Sequence, residues 1–298
     1  MKRTLAIVSI LVVGAGIFAV YRYWSDPEGH SRRHPQSMHA HQTDWPKSCQ
    51  HREGSLQSPI SISSRAFLER AIEKGTARTK SVSGELIDVG HTFQLRYRGE
   101  SGGHLSFEGR DYELRQFHFH KPSEHLIDGK QFEMEVHFVF LPIKSGGSKA
   151  LVVGFPMVVG EDNRELAKAW SFLPPYREGY GEREAEAHDW HNPVGTHELD
   201  FKVLSHSEKV LKSALILDLA GLLPKKSNFF VYEGSLTTPS CDEGITHAVS
   251  LTPIEIGHEQ TEHFEGYYEG TNRDLQPLNN VSMRKFRRAE ITFEGDQE

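Results

Sequence analysis

From about Gln57 onward, short stretches rich in Phe, Val, Leu and Tyr are separated by Gly, Ser and Pro, which is the texture of a β protein. Residues 90–97 alternate along a predicted strand, and Gly102-Gly103 turns the chain back. Residues 113–120 and 131–141 predict two further strands, joined by a polar loop containing Asp128-Gly129. The second alternates strictly, with Phe132, Met134, Val136, Phe138 and Phe140 on one side and Glu133, Glu135, His137 and Val139 on the other. Residues 151–159 form a continuous apolar run, as in a strand covered on both faces. Helical spacing appears over 165–170 and 207–222, and strands return over 228–236 and 245–254. Residues 174–206 are acidic and rich in aromatics and glycine, with no element assigned. No internal repeat and no boundary appear after Gln42, so the pattern predicts one mainly-β domain with peripheral helices over residues 43–298.

The start of the chain changes the cellular picture. Met1-Lys2-Arg3 precedes an apolar run from Leu5 to Val20, the arrangement of a secretory signal. The run is short for a span of about 20 residues. No clear A-x-A site follows, and Tyr21, Tyr23 and Trp24 stand where interfacial anchors would. Residues 1–24 therefore read as a signal peptide or an uncleaved signal anchor, and 25–42 as a polar linker carrying His30, His34, His39 and His41. The expected location is periplasmic or secreted, with attachment to the inner membrane if the segment is retained.

Composition excludes little except nucleic-acid binding. The apolar fraction of 37% and charged fraction of 25% suit a domain with a real core. The net charge of -7, without a basic stripe, argues against nucleic acid. Cys49 and Cys241 are the two cysteines. An oxidising compartment favours one disulfide, worth roughly 4 kcal/mol for so long a loop in the chain-entropy model. Two buried thiols are the other reading, and the export signal favours the bridge.

Candidate chemistry sits on the two alternating strands. His118 and His120 share one strand face, opposite Phe117 and Phe119. If the strands pair as a hairpin, His137 lies beside them. Three imidazoles leave a fourth position for water, the ligand pattern of a catalytic zinc, though cobalt or copper would also fit. Two core histidines and an unrelated third would give the same spacing. A polar face bearing Glu133, Glu135 and His137 on an otherwise apolar strand is harder to explain without a metal. Gln116 and Glu135 can accept from the ligands' outer N–H groups.

The blocks Gln116-Phe117-His118-Phe119-His120, Ser123-Glu124-His125 and Glu135-Val136-His137 resemble the α-class carbonic anhydrases. So do Gln57-Ser58-Pro59-Ile60, Gly90-His91-Thr92-Phe93, Gly234-Ser235-Leu236-Thr237-Thr238-Pro239 and Gln276-Pro277-Leu278-Asn279, in the family's order and spanning nearly everything after Trp45. The resemblance implies a single domain around a large twisted, mostly antiparallel sheet. It implies reversible hydration of CO2 to bicarbonate and a proton by attack of a zinc-bound hydroxide. By the same resemblance His118, His120 and His137 hold Zn2+, Thr237 accepts from the hydroxide and donates to Glu124, and His91 relays the proton. Val139, Val152, Leu236 and His247 match the substrate pocket. Tyr232 and Ser58 extend the hydrogen-bond network, Arg273 and Gln276 fix the C-terminal segment, and Cys49 and Cys241 match a disulfide of bacterial secreted members. The implied partner is the small-molecule pair CO2 and bicarbonate, and a homodimer is left open.

Some positions depart from the family pattern. His247 stands where a Trp is usual, Ser240 replaces a second proline, and Phe140 replaces a histidine. The Trp-Gly-Tyr element expected near residues 37–42 is missing, and 160–221 is longer than usual. These departures keep a second class of function in view, a catalytically silent carbonic-anhydrase-like binding module. An esterase using the same hydroxide is a third.

Overall fold

A computed structural model describes residues 42–67, 72–144, 146–173, 209–268, 270–279 and 284–295. The N-terminal segment expected over 1–24, all but the last residue of the linker, and the unassigned stretch 174–206 lie outside the described residues. Among the described residues no helix is long and apolar enough to cross a membrane.

The alternating stretches are strands. In chain order they are β1 (Ser61–Ile62), β2 (Ile72–Thr79), β3 (Ser83–Asp88), β4 (Phe93–Arg96), β5 (Gly103–Phe107), β6 (Arg110–His120) and β7 (Leu126–Ile127). They continue with β8 (Met134–Pro142), β9 (Ala150–Val159), β10 (Lys209–Ile216), β11 (Lys226–Ser235), β12 (Glu243–Ser250), β13 (Ile254–Ile256) and β14 (Arg287–Glu294). Twelve of them form one sheet in the order β10-β3-β4-β6-β5-β2-β14-β11-β12-β9-β13, with β8 pairing β6 and β9. Within this sheet pairing is antiparallel except where β9 meets β12 and β13 and where β14 meets β2, and β1 and β7 pair in parallel as a separate two-stranded sheet. The helices are peripheral: α1 (Arg164–Trp170), α2 (Leu219–Leu222) and α3 (His258–Glu265). Asn163 starts α1 by accepting from the Glu165 and Leu166 N–H groups.

The period of 2 divides the sheet chemically. Phe117 and Phe119 of β6, Met134, Val136, Phe138 and Phe140 of β8, and Leu151, Val153, Phe155 and Met157 of β9 fill the main core. Leu166 and Trp170 of α1 and Phe264 of α3 close it. Each such side chain contributes about 1.5–3 kcal/mol by leaving water. This burial holds β6, β8 and β9 rigidly, and their opposite face carries the histidines.

Two expectations change. β8 begins at Met134, so Phe132 and Glu133 do not share its alternation. The Phe132 N–H goes to Ser123 Oγ at 2.8 Å, and its ring packs on a separate cluster with Ile60 and Ile127. Glu133 pairs with Lys121 outside the strand. The helix expected over 207–222 is instead β10 followed by the single-turn α2. Irregularities at Val210/Lys212 and Lys212/Leu215 shift the register against β3. Such bulges break the period of 2, and the remaining apolar spacing imitates a helix.

Candidate metal centre

β6 and β8 run antiparallel with His118 directly opposite His137 and His120 opposite Glu135. Residues paired this way project to the same face. The three imidazole centroids are 4.9, 5.5 and 4.7 Å apart, and one ligand nitrogen from each ring lies within 4.8 Å of the others. All three rings are buried.

Their outer partners decide which nitrogens face inward. His118 Nδ1 lies 2.8 Å from Gln116 Oε1, and His120 Nδ1 lies 2.8 Å from the Thr271 carbonyl. His137 Nε2 lies 2.7 Å from Glu135 Oε1. Carbonyl and carboxylate oxygens only accept, so each outer nitrogen carries the hydrogen and each inner nitrogen presents a lone pair. Two of these, His118 Nε2 and His120 Nε2, face each other at 3.1 Å. Facing lone pairs repel unless a proton or cation lies between them. The donor set therefore fits a divalent metal bound by three neutral imidazoles.

Glu135 is fully buried, which alone would raise its pKa. It is nevertheless held well below the usual carboxylate range, because His125 and His137 both donate to Oε1 at 2.7 Å and the His125 N–H donates to Oε2 at 2.9 Å. His125, Glu135 and His137 also lie close enough together to suggest a metal. There the carboxylate oxygen already accepts from both rings, so that group is a support for His137 rather than a second centre.

Glu124 lies beside the inner nitrogens. Its Oε1 accepts from the Arg273 N–H at 2.9 Å, while Oε2 is 3.6 Å from His120 Nε2 and 3.8 Å from His137 Nδ1. Oε2 makes no hydrogen bond of ordinary geometry, although the Thr237 hydroxyl is close enough to draw its pKa down. Burial outweighs His137, Arg273 and Thr237 and raises the carboxyl above its usual value. A carboxylate, three histidine nitrogens and a threonine hydroxyl thus converge from β6, β8, the loop after β6 and the segment after β11.

Comparison with known proteins gives this constellation its family. Residues 40–151 and 194–290 match the model of the eukaryotic-type carbonic anhydrases. The chain belongs to the α-carbonic anhydrase family. It is 33% identical over 227 residues to the carbonic anhydrase of Pectobacterium carotovorum, covering 76% of this chain and 78% of that one. It is 32% identical over 230 residues to that of Neisseria gonorrhoeae, covering 76% and 75%. The α-carbonic anhydrase of Thermovibrio ammonificans, solved with the inhibitor sulfanilamide, superposes with a TM-score of 0.59 at 30% identity, covering 80% of this chain and 88% of that chain.

Three of the positions matched by resemblance to a substrate pocket come together. Val139, Val152 and Leu236 join Ala150 and Ile245 in one apolar cluster. Phe140 points away into the main core. His247, paired in register with Val152 and Tyr232, is buried with its ring stacked on Tyr232 at 5.0 Å. Its Nε2 donates to the Ser235 carbonyl at 2.8 Å, two residues before Thr237. Burial and then the neighbouring His125 push its pKa well down, so it stays neutral. His91 lies in the turn between β3 and β4, where β4 pairs Gln94 with His118.

Cys49 and Cys241 form a disulfide that packs on Trp45. Arg273, which sequence patterns placed only in the C-terminal segment, is a buried tie between distant elements. It donates to the carbonyls of Ser58 at 2.8 Å and Cys49 at 2.5 Å. Gln276 N–H adds a bond to the Pro59 carbonyl at 2.8 Å. Sequence reading missed the Thr271 carbonyl that orients His120, because a backbone acceptor 151 residues away leaves no local signal.

These burials predict an acid limit for the metal-free domain. Desolvation lowers His120 to about 4 despite its bond to Thr271 and the nearby Glu135, and His247 moves in the same direction. A histidine whose folded pKa is depressed contributes stability above its unfolded value near 6.5, lost as pH falls through the folded value. His120 alone corresponds to on the order of 3 kcal/mol. Urea midpoints of metal-stripped protein should fall steadily between about pH 6.5 and 4, and a flat profile there would contradict the buried neutral rings.

Proposed function

We propose that this protein is an active, exported zinc carbonic anhydrase that reversibly hydrates CO2 to bicarbonate and a proton. Its catalytic domain is residues 43–298, behind an export segment over 1–24 and a polar linker over 25–42. The observation that carries the reading is the convergence of three inner lone pairs, two of them 3.1 Å apart, beside Glu124. Zinc held by His118, His120 and His137 supplies a hydroxide nucleophile near neutral pH by lowering the pKa of water to about 7.

The chain's own groups orient and separate the reactants. Glu124 can only accept, so it takes the Thr237 hydroxyl hydrogen and leaves the Thr237 oxygen to accept from the nucleophile. That fixes the direction of the attacking lone pair. Val139, Val152 and Leu236 form a wall that cannot hydrogen-bond water and so leaves room for apolar CO2. His247 donates to the backbone before Thr237, which supports an intact catalytic loop despite the lost tryptophan. His91 relays the released proton to buffer, since an imidazole titrates near pH 6.5. The disulfide supports work in an oxidising compartment, the periplasm or beyond.

Stopped-flow hydration of CO2 by the purified domain tests this directly. We expect one zinc per chain, a rate that falls to the buffer value with a chelator, and recovery on adding zinc back. A zinc-loaded protein with no rate above buffer would instead be a binding module. For the relay, His91→Ala should lower turnover in weak buffer on the order of 100-fold, the lower end of general acid–base contributions. Added imidazole should restore it, and equal turnover of variant and parent in weak buffer would remove His91 from the scheme.

A further inference from the structure

The turn that carries His91 is tied down on two sides by groups outside the reaction scheme. On one side Asp88, fully buried at the end of β3, accepts from the Gly90 N–H at 3.0 Å and from the Tyr268 hydroxyl through the same Oδ1. The backbone turns here with Gly90 at φ 86°, a left-handed conformation suited to glycine, and the Val89 N–H reaches the Thr92 carbonyl at 3.1 Å. On the other side the Thr92 hydroxyl donates to the Phe119 carbonyl at 2.6 Å and accepts from the Phe119 N–H at 3.2 Å. Phe119 lies between His118 and His120. Phe93 completes the clamp, its ring edge-on to Phe264, Tyr267 and Tyr268 at 6.0, 5.3 and 5.0 Å.

We propose that Asp88 and Tyr268 are positioning residues for proton transfer, holding the His91 turn at a fixed height beside β6 while Thr92 keys it to the backbone between two metal-ligating histidines. This rests on the reading of His91 as the relay. The physical argument is one of placement. A relay works across a defined gap, and misplacing a reacting group by about 1 Å can cost as much as 10²-fold in rate. A buried carboxylate is expensive unless its oxygens are used. Here Oδ1 is used twice, once by the turn itself and once by a tyrosine that follows α3, some 180 residues away in sequence. An Asp that merely closed a turn would need only the Gly90 bond. The Tyr268 bond adds a reference point on a different element, so the turn's position depends on the packing of α3 against the sheet.

Tyr268→Phe removes the hydroxyl and keeps the ring against Phe93. In weak buffer its turnover should fall about fivefold to tenfold, a partial misplacement, while kcat/KM for CO2 stays at the parent value and added imidazole restores turnover. Asp88→Ala should behave alike, and Asp88→Asn, which keeps an acceptor for both donors, should stay near the parent. If Asp88→Ala does not fold, Tyr268→Phe carries the test alone. Combined with His91→Ala, Tyr268→Phe should add no further loss, because both act on one step. Parental turnover of Tyr268→Phe in weak buffer, where His91→Ala is impaired, overturns the positioning role alone. A loss that imidazole does not restore, or that adds to His91→Ala, overturns it as well. If His91→Ala itself shows no buffer-dependent loss, the relay assignment fails first and this proposal with it.

Discussion

His137→Ala is expected to leave the domain without zinc and to bring CO2 hydration down to the buffer rate. Three neutral imidazoles are the minimum donor set of such a centre, and removing one leaves two lone pairs with no third to close the tetrahedral face. The loss has a second component. Glu135 is fully buried and takes three hydrogen bonds, one of them from His137 Nε2 at 2.7 Å. Without that donor the carboxylate keeps only the two from His125, a deficit of about 1–3 kcal/mol. The melting temperature should therefore drop by several degrees even when metal-free proteins are compared. Metal analysis, stopped-flow rates and thermal melts read the three consequences separately. His125→Ala is the informative control, since it should weaken the fold through Glu135 yet retain zinc. Retention of tightly bound zinc by His137→Ala, with loss in His125→Ala, would move the centre to the neighbouring His125–Glu135 group.

The second large effect is expected from Glu124→Gln. The side chains have nearly the same shape, and the Arg273 N–H can still be accepted. What changes is the other end, because an amide nitrogen donates where Oε2 only accepts. The Thr237 hydroxyl would then receive a hydrogen bond instead of giving one, and its oxygen would no longer be directed at the nucleophile. Losing one oriented hydrogen bond in a buried site typically lowers rates by about 10²- to 10³-fold, and kcat/KM for CO2 should fall in that range with zinc content unchanged. A variant within a few-fold of the parent would refute the orienting role. Loss of zinc in the same variant would mean that the carboxylate acts through its charge on the metal.

Much of the site was legible because strands write their geometry into sequence with a period of 2. His118-Phe119-His120 and the alternation from Met134 to Phe140 were enough to place three imidazoles on one face and the aromatics on the other, and the structure has that division. Gln116 and Glu135 were anticipated as acceptors by the same rule, being two residues from a ligand on the same face. The pattern failed where the period itself fails. Register shifts in β10 turned a strand into an apparent helix, and Phe132 and Glu133 lie before the strand whose alternation they seem to continue.

By itself, then, the chain determined which residues could serve as ligands and supports, because those choices depend on side-chain type and on local spacing, while the apolar wall was implied only by the family resemblance. Only the tertiary structure decided that His118 stands opposite His137, that Thr271 and Arg273 reach back to orient His120 and Glu124, and that the Asp88–Tyr268 bond braces its loop. Those contacts join positions far apart along the chain, often through backbone atoms common to every residue. They exist because burial of the main core fixes the sheet, and a fixed sheet selects one register from the many that local patterns allow.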